Sequence, residues 1–186
     1  MIEKLHTGEL YQPLDPEIVE IQTACLEKLY EYNQTRPSES ERRWALLCDM
    51  FAEIGEGTCI EPPFRANFGG RHCHFGKMIY ANFNLTCVDD THIYVGDYTM
   101  IGPNVTIASA AHPIEPEPRR QGLQYNKPVR IGENCWIGAG AVILPGVSIG
   151  DNVVVGAGSV VTKDLPDNSV AVGNPCRVIR RLEKKE

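Results

Sequence analysis

A histidine followed by a proline is the residue of this chain best suited to acid–base chemistry. His112 stands in Ala110-Ala111-His112-Pro113, where a regular repeat of the sequence is interrupted. An imidazole titrates near neutral pH, and the following proline restricts the backbone beside it. His112 is therefore a candidate general base. The alternative is an ordinary histidine of a surface loop.

Polar residues near this interruption could bind a ligand. Asn82, Asp89 and Asp90 carry the oxygen and nitrogen atoms that would hydrogen-bond a polyhydroxy ligand. They could equally form corner turns, because Asn and Asp tolerate left-handed backbone conformations. Trp136 is expected to open onto the same region as a packing or stacking surface.

Basic residues near the C-terminus suggest an anion site. Lys163, Arg177 and Arg180 would suit a ligand that carries phosphate, although solvated surface charge is the alternative. The net charge of −6 argues against nucleic acid as a partner.

Metal and disulfide chemistry are not indicated. His72 and His74 flank Cys73 with the spacing of two metal ligands, but no third ligand lies at a clear distance, so strand surface is favoured and no metal is expected. The seven cysteines form no CxxC pair and are interpreted as buried or inert thiols.

The elements that must position these residues follow a six-residue repeat. Nine aliphatic residues share one position modulo six, most of them followed by a small residue. This pattern is typical of a parallel β-helix, in which the aliphatic side chain points inward and the chain turns at the small residue. The nine residues are Val95, Ile101, Ile107, Ile131, Ile137, Ile143, Ile149, Val155 and Val161.

The sequence divides into three segments. Residues 1–57 are predicted to be helical and to cap one end of the coil, with one helix starting after Asp15 and ending near Asn33. A capping box at residues 38–41 predicts a second helix that stops at Gly55. The β-helix is assigned to residues 58–166, and residues 167–186 form an extended segment with a basic tail.

One interruption of the repeat is long enough to matter for function. Residues 109–128 are rich in proline and cannot follow the surface of the coil, so they are expected to protrude as a loop. Long loops of compact domains often carry function. The chain has neither a signal peptide at its start nor an apolar run long enough to span a membrane, which predicts a cytoplasmic protein.

Several motifs together resemble the maltose/galactoside O-acetyltransferase family of hexapeptide-repeat acyltransferases. The resemblance covers nearly the whole chain, from Gly8-Glu9-Leu10-Tyr11 onward. It rests on Glu61-Pro62-Pro63-Phe64, Tyr80-Ala81-Asn82-Phe83-Asn84, Ala111-His112-Pro113, Lys127-Pro128, Trp136-Ile137-Gly138, Leu144-Pro145-Gly146-Val147, residues 156–164 and Gly173-Asn174-Pro175.

The resemblance implies an all-β fold, a left-handed parallel β-helix, that forms a homotrimer. It also implies acetyl-coenzyme A bound in clefts between neighbouring subunits, with a sugar or another small hydroxylated acceptor and no metal. His112 matches the catalytic histidine. The acceptor residues would be Asn67, Asn82 and Asp90, and the coenzyme A residues Trp136, Ala139, Ala157, Thr162, Lys163, Arg177 and Arg180.

The acceptor half departs from the family pattern. Pro13 and Gln22 stand where an Asp and an Arg help to hold a galactoside, Asn67 replaces a Ser or Asp, and Gln124 replaces a Glu. The same fold acting on an antibiotic, serine or an amino-sugar is therefore an alternative. A β-helix carbonic anhydrase and a non-catalytic scaffold are two others.

Overall fold

The six-residue repeat builds a left-handed parallel β-helix with three flat faces, as predicted. This computed structural model describes residues 2–183. All nine residues of the predicted register are buried, and so are the small or branched residues four positions further on, from Thr99 to Ser159. The interior of the coil is therefore filled by two residues from each hexad.

Each face is a parallel sheet of short strands stacked turn upon turn. The first face contains β1 Glu53–Ile54, β4 Cys73–Phe75, β7 Ile93–Val95, β12 Val129–Ile131 and β15 Ser148–Ile149. The second contains β2 Cys59–Ile60, β5 Tyr80–Ala81, β8 Met100–Ile101, β13 Trp136–Ile137, β16 Val154–Val155, β18 Ser169–Val172 and the antiparallel β19 Arg177–Arg181. The third contains β3 Arg65–Ala66, β6 Thr86–Val88, β9 Thr106–Ala108, β14 Val142–Ile143 and β17 Val160–Val161.

Two helices precede the coil. Helix α1, Pro16–Asn33, begins as predicted, because the Asp15 side chain accepts a hydrogen bond from the Glu17 N–H. Helix α2, Ser40–Met50, differs from the prediction at both ends. Its N-cap, Glu39, makes no side-chain capping bond and instead accepts from the backbone N–H of Arg36. The helix also ends before Gly55, because β1 already pairs with β4 there.

The interruption at residues 109–128 is partly ordered against the coil. It contains β10 Ala110–Ala111 and β11 Tyr125–Asn126, which pair antiparallel, and the short helix α3 Pro116–Arg120 between them. Ser109, Gln124 and Asn126 are buried, so only the middle of the predicted loop stands out from the coil.

The C-terminal segment closes the stack with a hairpin. Strand β18 pairs parallel with β16, and β19 folds back antiparallel on β18. The last three residues of the predicted basic tail, 184–186, lie outside the described residues. No helix within 2–183 is long and apolar enough to cross a membrane.

A cluster of imidazoles attaches the N-terminus to the first face. The 3₁₀ helix Ile2–His6 brings the His6 ring to 4.9 Å from the His72 ring and 4.5 Å from the His92 ring, centroid to centroid. Burial lowers the pKa of His6 and of His92, and it lowers the pKa of His72 to about 4. No group of three His, Cys, Asp or Glu within 2–183 could hold a metal ion.

This cluster predicts an acid-labile contribution to stability. Because the pKa of His72 falls from 6.5 in the unfolded chain to about 4, the neutral ring stabilises the fold above pH 6.5. We expect about 3 kcal/mol of that stabilisation to be lost as the pH falls from 6.5 to 4.

The measurement is the difference in free energy of unfolding between the wild type and His72→Gln across this range. The wild type alone does not isolate His72, because burial raises the pKa of Asp89 to about 6. The contribution of Asp89 to the free energy of unfolding therefore changes with pH in the opposite direction, and it cancels in the difference. His112→Gln, at an exposed histidine, is the control. A pH-independent difference for His72→Gln would contradict the prediction.

Candidate active site

Two edges of the coil carry the candidate residues. The His112 edge joins the third face to the first and includes Asn67, Asp90 and Thr162, which follow β3, β6 and β17. The Ala139 edge joins the second face to the third and includes Asn82 and Ala157. The two edges are separated by the third face, whose strands of two or three residues are roughly 10 Å long.

His112 is exposed and held in one tautomer. Strand β10 leads into it, and its Nδ1 atom lies 2.8 Å from the carbonyl oxygen of Leu123. A carbonyl oxygen only accepts, so Nδ1 carries the proton and donates it. The Nε2 atom therefore keeps a free lone pair, which is the atom that a general base needs.

Asp90 lies beside His112 as a buried carboxylate with both oxygens occupied. Its Oδ1 accepts from the Gln124 Nε2 atom at 2.8 Å, and its Oδ2 accepts from the Asn67 Nδ2 atom at 2.8 Å. Burial raises the pKa of Asp90, while Gln124, Asn67 and the charge of His112 act in the opposite direction. The four side chains form one polar group at the His112 edge.

Asp89 stabilises the backbone of the edge and does not belong to this polar group. Its two carboxylate oxygens accept from the backbone N–H groups of Phe68 and Gly70 at 2.7 and 2.9 Å, and the residue is fully buried. Of the two adjacent acids, only Asp90 belongs to the candidate site.

Two backbone N–H groups of the Ala139 edge have no hydrogen-bond partner among the described residues, whereas the equivalent N–H groups of another edge do. Between the first and second faces, the N–H groups after the edge glycines donate to aspartates of the next turn, as Glu133 does to Asp151 at 2.9 Å and Asp151 to Asp167 at 2.9 Å. Within residues 2–183, the equivalent N–H groups of Ala139 and Ala157 have no hydrogen-bond partner. Both alanines are exposed, so these N–H groups are available to a ligand.

The remaining candidates are spread over the same part of the coil. Trp136 lies on the outside of the second face and is 56% exposed, so it does not open onto the His112 edge as expected. Thr162 and Lys163 follow β17, and Arg177 and Arg180 lie on β19. None of these three cations has an ion-pair partner among residues 2–183.

One predicted grouping does not form within a single chain. Asn82 and Asp90 lie in the same turn but at opposite ends of the third-face strand β6, so Asn82 stands with Ala139 and away from His112. The Asn82 side chain accepts from the N–H of Phe83 at 2.8 Å. Only Asn67 and Asp90 of the expected acceptor residues lie together beside His112.

No pattern in the sequence predicts the hydrogen-bonded cluster that packs against Asp90. The Tyr11 and Gln124 backbones bond to each other at 2.9 and 3.0 Å, and the side chains of Tyr11, Gln124 and Asn126 share one hydrogen-bonded cluster. Gln124 stands out in the sequence only as a departure from the family pattern. Partners that are more than a hundred residues apart, such as Tyr11 and Asn126, follow no periodicity.

Comparison with known proteins matches both parts of the fold. Residues 128–163 match the model described as the hexapeptide repeat of succinyl-transferase. Residues 4–55 match the maltose acetyltransferase hexapeptide capping motif. The galactoside O-acetyltransferase of Lactococcus lactis is 54% identical over 184 residues, which cover 99% of this chain and 89% of that protein.

Two solved structures are similar over nearly the whole chain. A maltose O-acetyltransferase from Clostridium difficile 630 has a TM-score of 0.96 at 43% identity, covering 98% of this chain and 97% of that one. A galactoside acetyltransferase in complex with coenzyme A has a TM-score of 0.95 at 46% identity, covering 98% of this chain and 91% of that one.

Proposed function

This chain belongs to the maltose and galactoside O-acetyltransferase family, and we propose that it acetylates a sugar hydroxyl with His112 as the general base. As a member of this family it is an acetyl-coenzyme A-dependent acyltransferase. The observation that carries the proposal is the Nδ1 contact of His112 with the Leu123 carbonyl oxygen, which leaves Nε2 free to accept a proton.

The reaction is a direct transfer. The acceptor oxygen attacks the thioester carbonyl carbon while His112 Nε2 takes the hydroxyl proton. The tetrahedral oxyanion that forms is stabilised by a backbone donor, for which the unpartnered Ala139 N–H is the candidate. Collapse of the intermediate breaks the carbon–sulfur bond, and the imidazolium returns its proton to the coenzyme A thiolate.

Five of the seven cysteines support direct transfer over an acyl-enzyme. A nucleophilic thiol needs a lowered pKa, since the thiolate is the reactive form. Burial instead raises the pKa of Cys135 to about 11 and raises the pKa values of Cys25, Cys59, Cys73 and Cys176.

Loss of the base should slow chemistry without unfolding the protein. We expect His112→Ala to lower kcat by about 10²–10⁴-fold, because a positioned general base contributes that much. The ring is exposed, so the thermal midpoint should stay at the wild-type value. His112→Ala with wild-type turnover on a sugar acceptor would refute the assignment.

The acceptor is a small hydroxylated compound, and a sugar is favoured. Asp90 and Asn67 offer hydrogen-bonding atoms of the kind that bind sugar hydroxyls, and the relatives are named for galactoside and maltose. An antibiotic, serine or an amino-sugar remains the second candidate, since Asn67 and Gln124 depart from the family pattern. A panel of acceptors assayed for free coenzyme A release separates these classes.

The unpaired cations are the candidates for the phosphates of the coenzyme. A hydrogen bond to a charged group is worth about 1.5–3 kcal/mol, so Arg180→Ala should raise the Kd for coenzyme A by about ten- to a hundredfold. The KM for the acceptor should not change. Arg120→Ala, at an exposed arginine of helix α3, is the control. If Arg180→Ala and the wild type bind coenzyme A with equal affinity, Arg180 is an ordinary surface charge and does not bind the phosphates.

The complete site requires a second chain. Asn82 and Ala139 lie one face away from His112, so one chain cannot enclose a ligand that touches all three. The second face also carries an exposed ladder of large apolar residues in register, with Tyr80 42%, Met100 53% and Trp136 56% exposed. Such a patch is typical of an interface. We propose a homotrimer in which the His112 edge of one subunit faces the Ala139 edge of the next.

Mixed trimers test this arrangement. His112→Ala lacks the base, and Ala157→Trp places a bulky ring on the Ala139 edge, so each variant alone should be inactive. In randomly mixed trimers of equal amounts, about a quarter of the clefts pair an intact His112 with an intact Ala157, so about a quarter of wild-type activity should return. Mixed trimers without activity would show that each site lies within one chain.

A further inference from the structure

The acceptor side of the site depends on a buried amide that the proposed mechanism does not use. Gln124 is 7% exposed, and its Nε2 atom lies 2.8 Å from Asp90 Oδ1 and 3.1 Å from Asn126 Oδ1. We propose that Gln124 is a positioning residue, which holds the Asp90 carboxylate ionised and aimed at the acceptor beside His112. The inference rests on the proposed acetyl transfer.

A backbone carbonyl orients the Asn126 amide, and through it the Gln124 amide. The Leu5 carbonyl oxygen can only accept, so the Asn126 atom 3.0 Å from it must be the donor Nδ2. Asn126 Oδ1 therefore faces Gln124 and can only accept, which turns the Gln124 Nε2 group toward it. The two hydrogens of that Nε2 group face three acceptors, which are Asp90 Oδ1, Asn126 Oδ1 and the Tyr11 hydroxyl oxygen. The bond to Asp90 Oδ1 is favoured among them, because this acceptor carries charge.

The direction of the bonds selects the ionised form of Asp90. Both carboxylate oxygens accept from amide groups, those of Gln124 and Asn67, and such hydrogen bonds are stronger to a carboxylate than to a neutral carboxyl. Burial raises the pKa of Asp90, and these two bonds oppose that effect. Without Gln124, the neutral form of Asp90 would become more stable relative to the carboxylate.

Gln124 and Asn67 are not equivalent supports. Asn67 is exposed and can rotate away, whereas Gln124 is enclosed by Tyr11 and Asn126. Burial raises the pKa of Tyr11 to about 12, so its phenol stays a donor, and it bonds to Asn126 Oδ1 at 3.3 Å. Of the two amides that donate to Asp90, Gln124 is therefore held rigidly, and Asn67 is the one that an arriving acceptor can displace.

The role predicts which chemistry Asp90 offers to the acceptor. An ionised carboxylate with two of its lone pairs occupied still accepts further hydrogen bonds, so it binds groups that donate, such as the hydroxyls of a sugar. Held this way, Asp90 orients the acceptor without competing with His112 for the proton of the reacting hydroxyl.

Two variants test the role, with a direct reading of Asp90. Gln124→Met keeps the size and removes the donor, and Gln124→Glu adds a second carboxyl at hydrogen-bond distance, which must share a proton with Asp90. Gln121→Met, at an exposed glutamine of the same segment, is the control. The Asp90 carboxyl is titrated by carbon-13 NMR with labelled aspartate and assigned through Asp90→Asn.

We expect the titration midpoint of Asp90 to rise by about one to two pH units in Gln124→Met and to rise further in Gln124→Glu. The KM for the sugar should rise about ten- to a hundredfold in Gln124→Met, and this rise should extend to higher pH than in the wild type, while the KM for acetyl-coenzyme A stays constant.

An unmoved Asp90 midpoint in Gln124→Met overturns the inference, even if the acceptor KM rises, because that pattern is a packing effect. Failure of the proposed function is a different result. In that case the wild type acetylates no sugar, and the NMR titration still decides whether Gln124 controls Asp90.

Discussion

The spacing between successive turns of the coil is the constraint on which the structure depends. The turns are so close at the edges that a Cβ atom added at Gly138 would lie 2.5 Å from the Ala157 nitrogen, and one added at Gly102 would lie 2.7 Å from the Ala139 nitrogen. Real Cβ atoms do not approach backbone so closely. The glycine that follows a strand of the first or second face is therefore required by the neighbouring turn, and this requirement recurs in successive turns at both of those edges.

The same spacing explains why an edge can become a binding surface. Each edge presents backbone N–H groups at regular intervals, and these groups must find partners in the protein or in a ligand. Aspartates fill this need between the first and second faces, where Asp151 and Asp167 accept from the turn above. Alanines stand at the equivalent positions of the other edge, and their N–H groups stay open. An Ala in place of an Asp at one repeat position thus leaves the edge N–H groups without a partner in the described chain, so that a ligand can bind them.

The sequence predicts those parts of the structure that local rules determine. The register from Val95 to Val161 and the start of helix α1 at Asp15 depend on neighbours in sequence or on the repeat, and both predictions are confirmed. The capping box fails because the Glu39 carboxylate binds the Arg36 N–H and the Arg42 side chain instead. The expected grouping of Asn82 with His112 does not form within one chain, because the sequence does not show which end of a strand meets which edge. The contacts of Tyr11 and Gln124 depend on long-range docking that has no periodic signal.

The candidate residues for the donor and for the acceptor draw partly on different segments of the chain. Most candidates for the donor lie in the repeat, where Ala139 and Ala157 occupy positions that the spacing of the coil fixes, while Arg177 and Arg180 lie on β19. One part of the support of Asp90, Asn67, follows β3 in the coil. The other part comes from segments outside the repeat, because Gln124 and Asn126 lie in the interruption and Asn126 binds the Leu5 carbonyl of the N-terminal helix. Substitutions in those segments can change which acceptor fits without disturbing the stacked turns. Gln124, which departs from the family pattern, lies in one of these segments, and the donor-side motifs of the repeat keep that pattern.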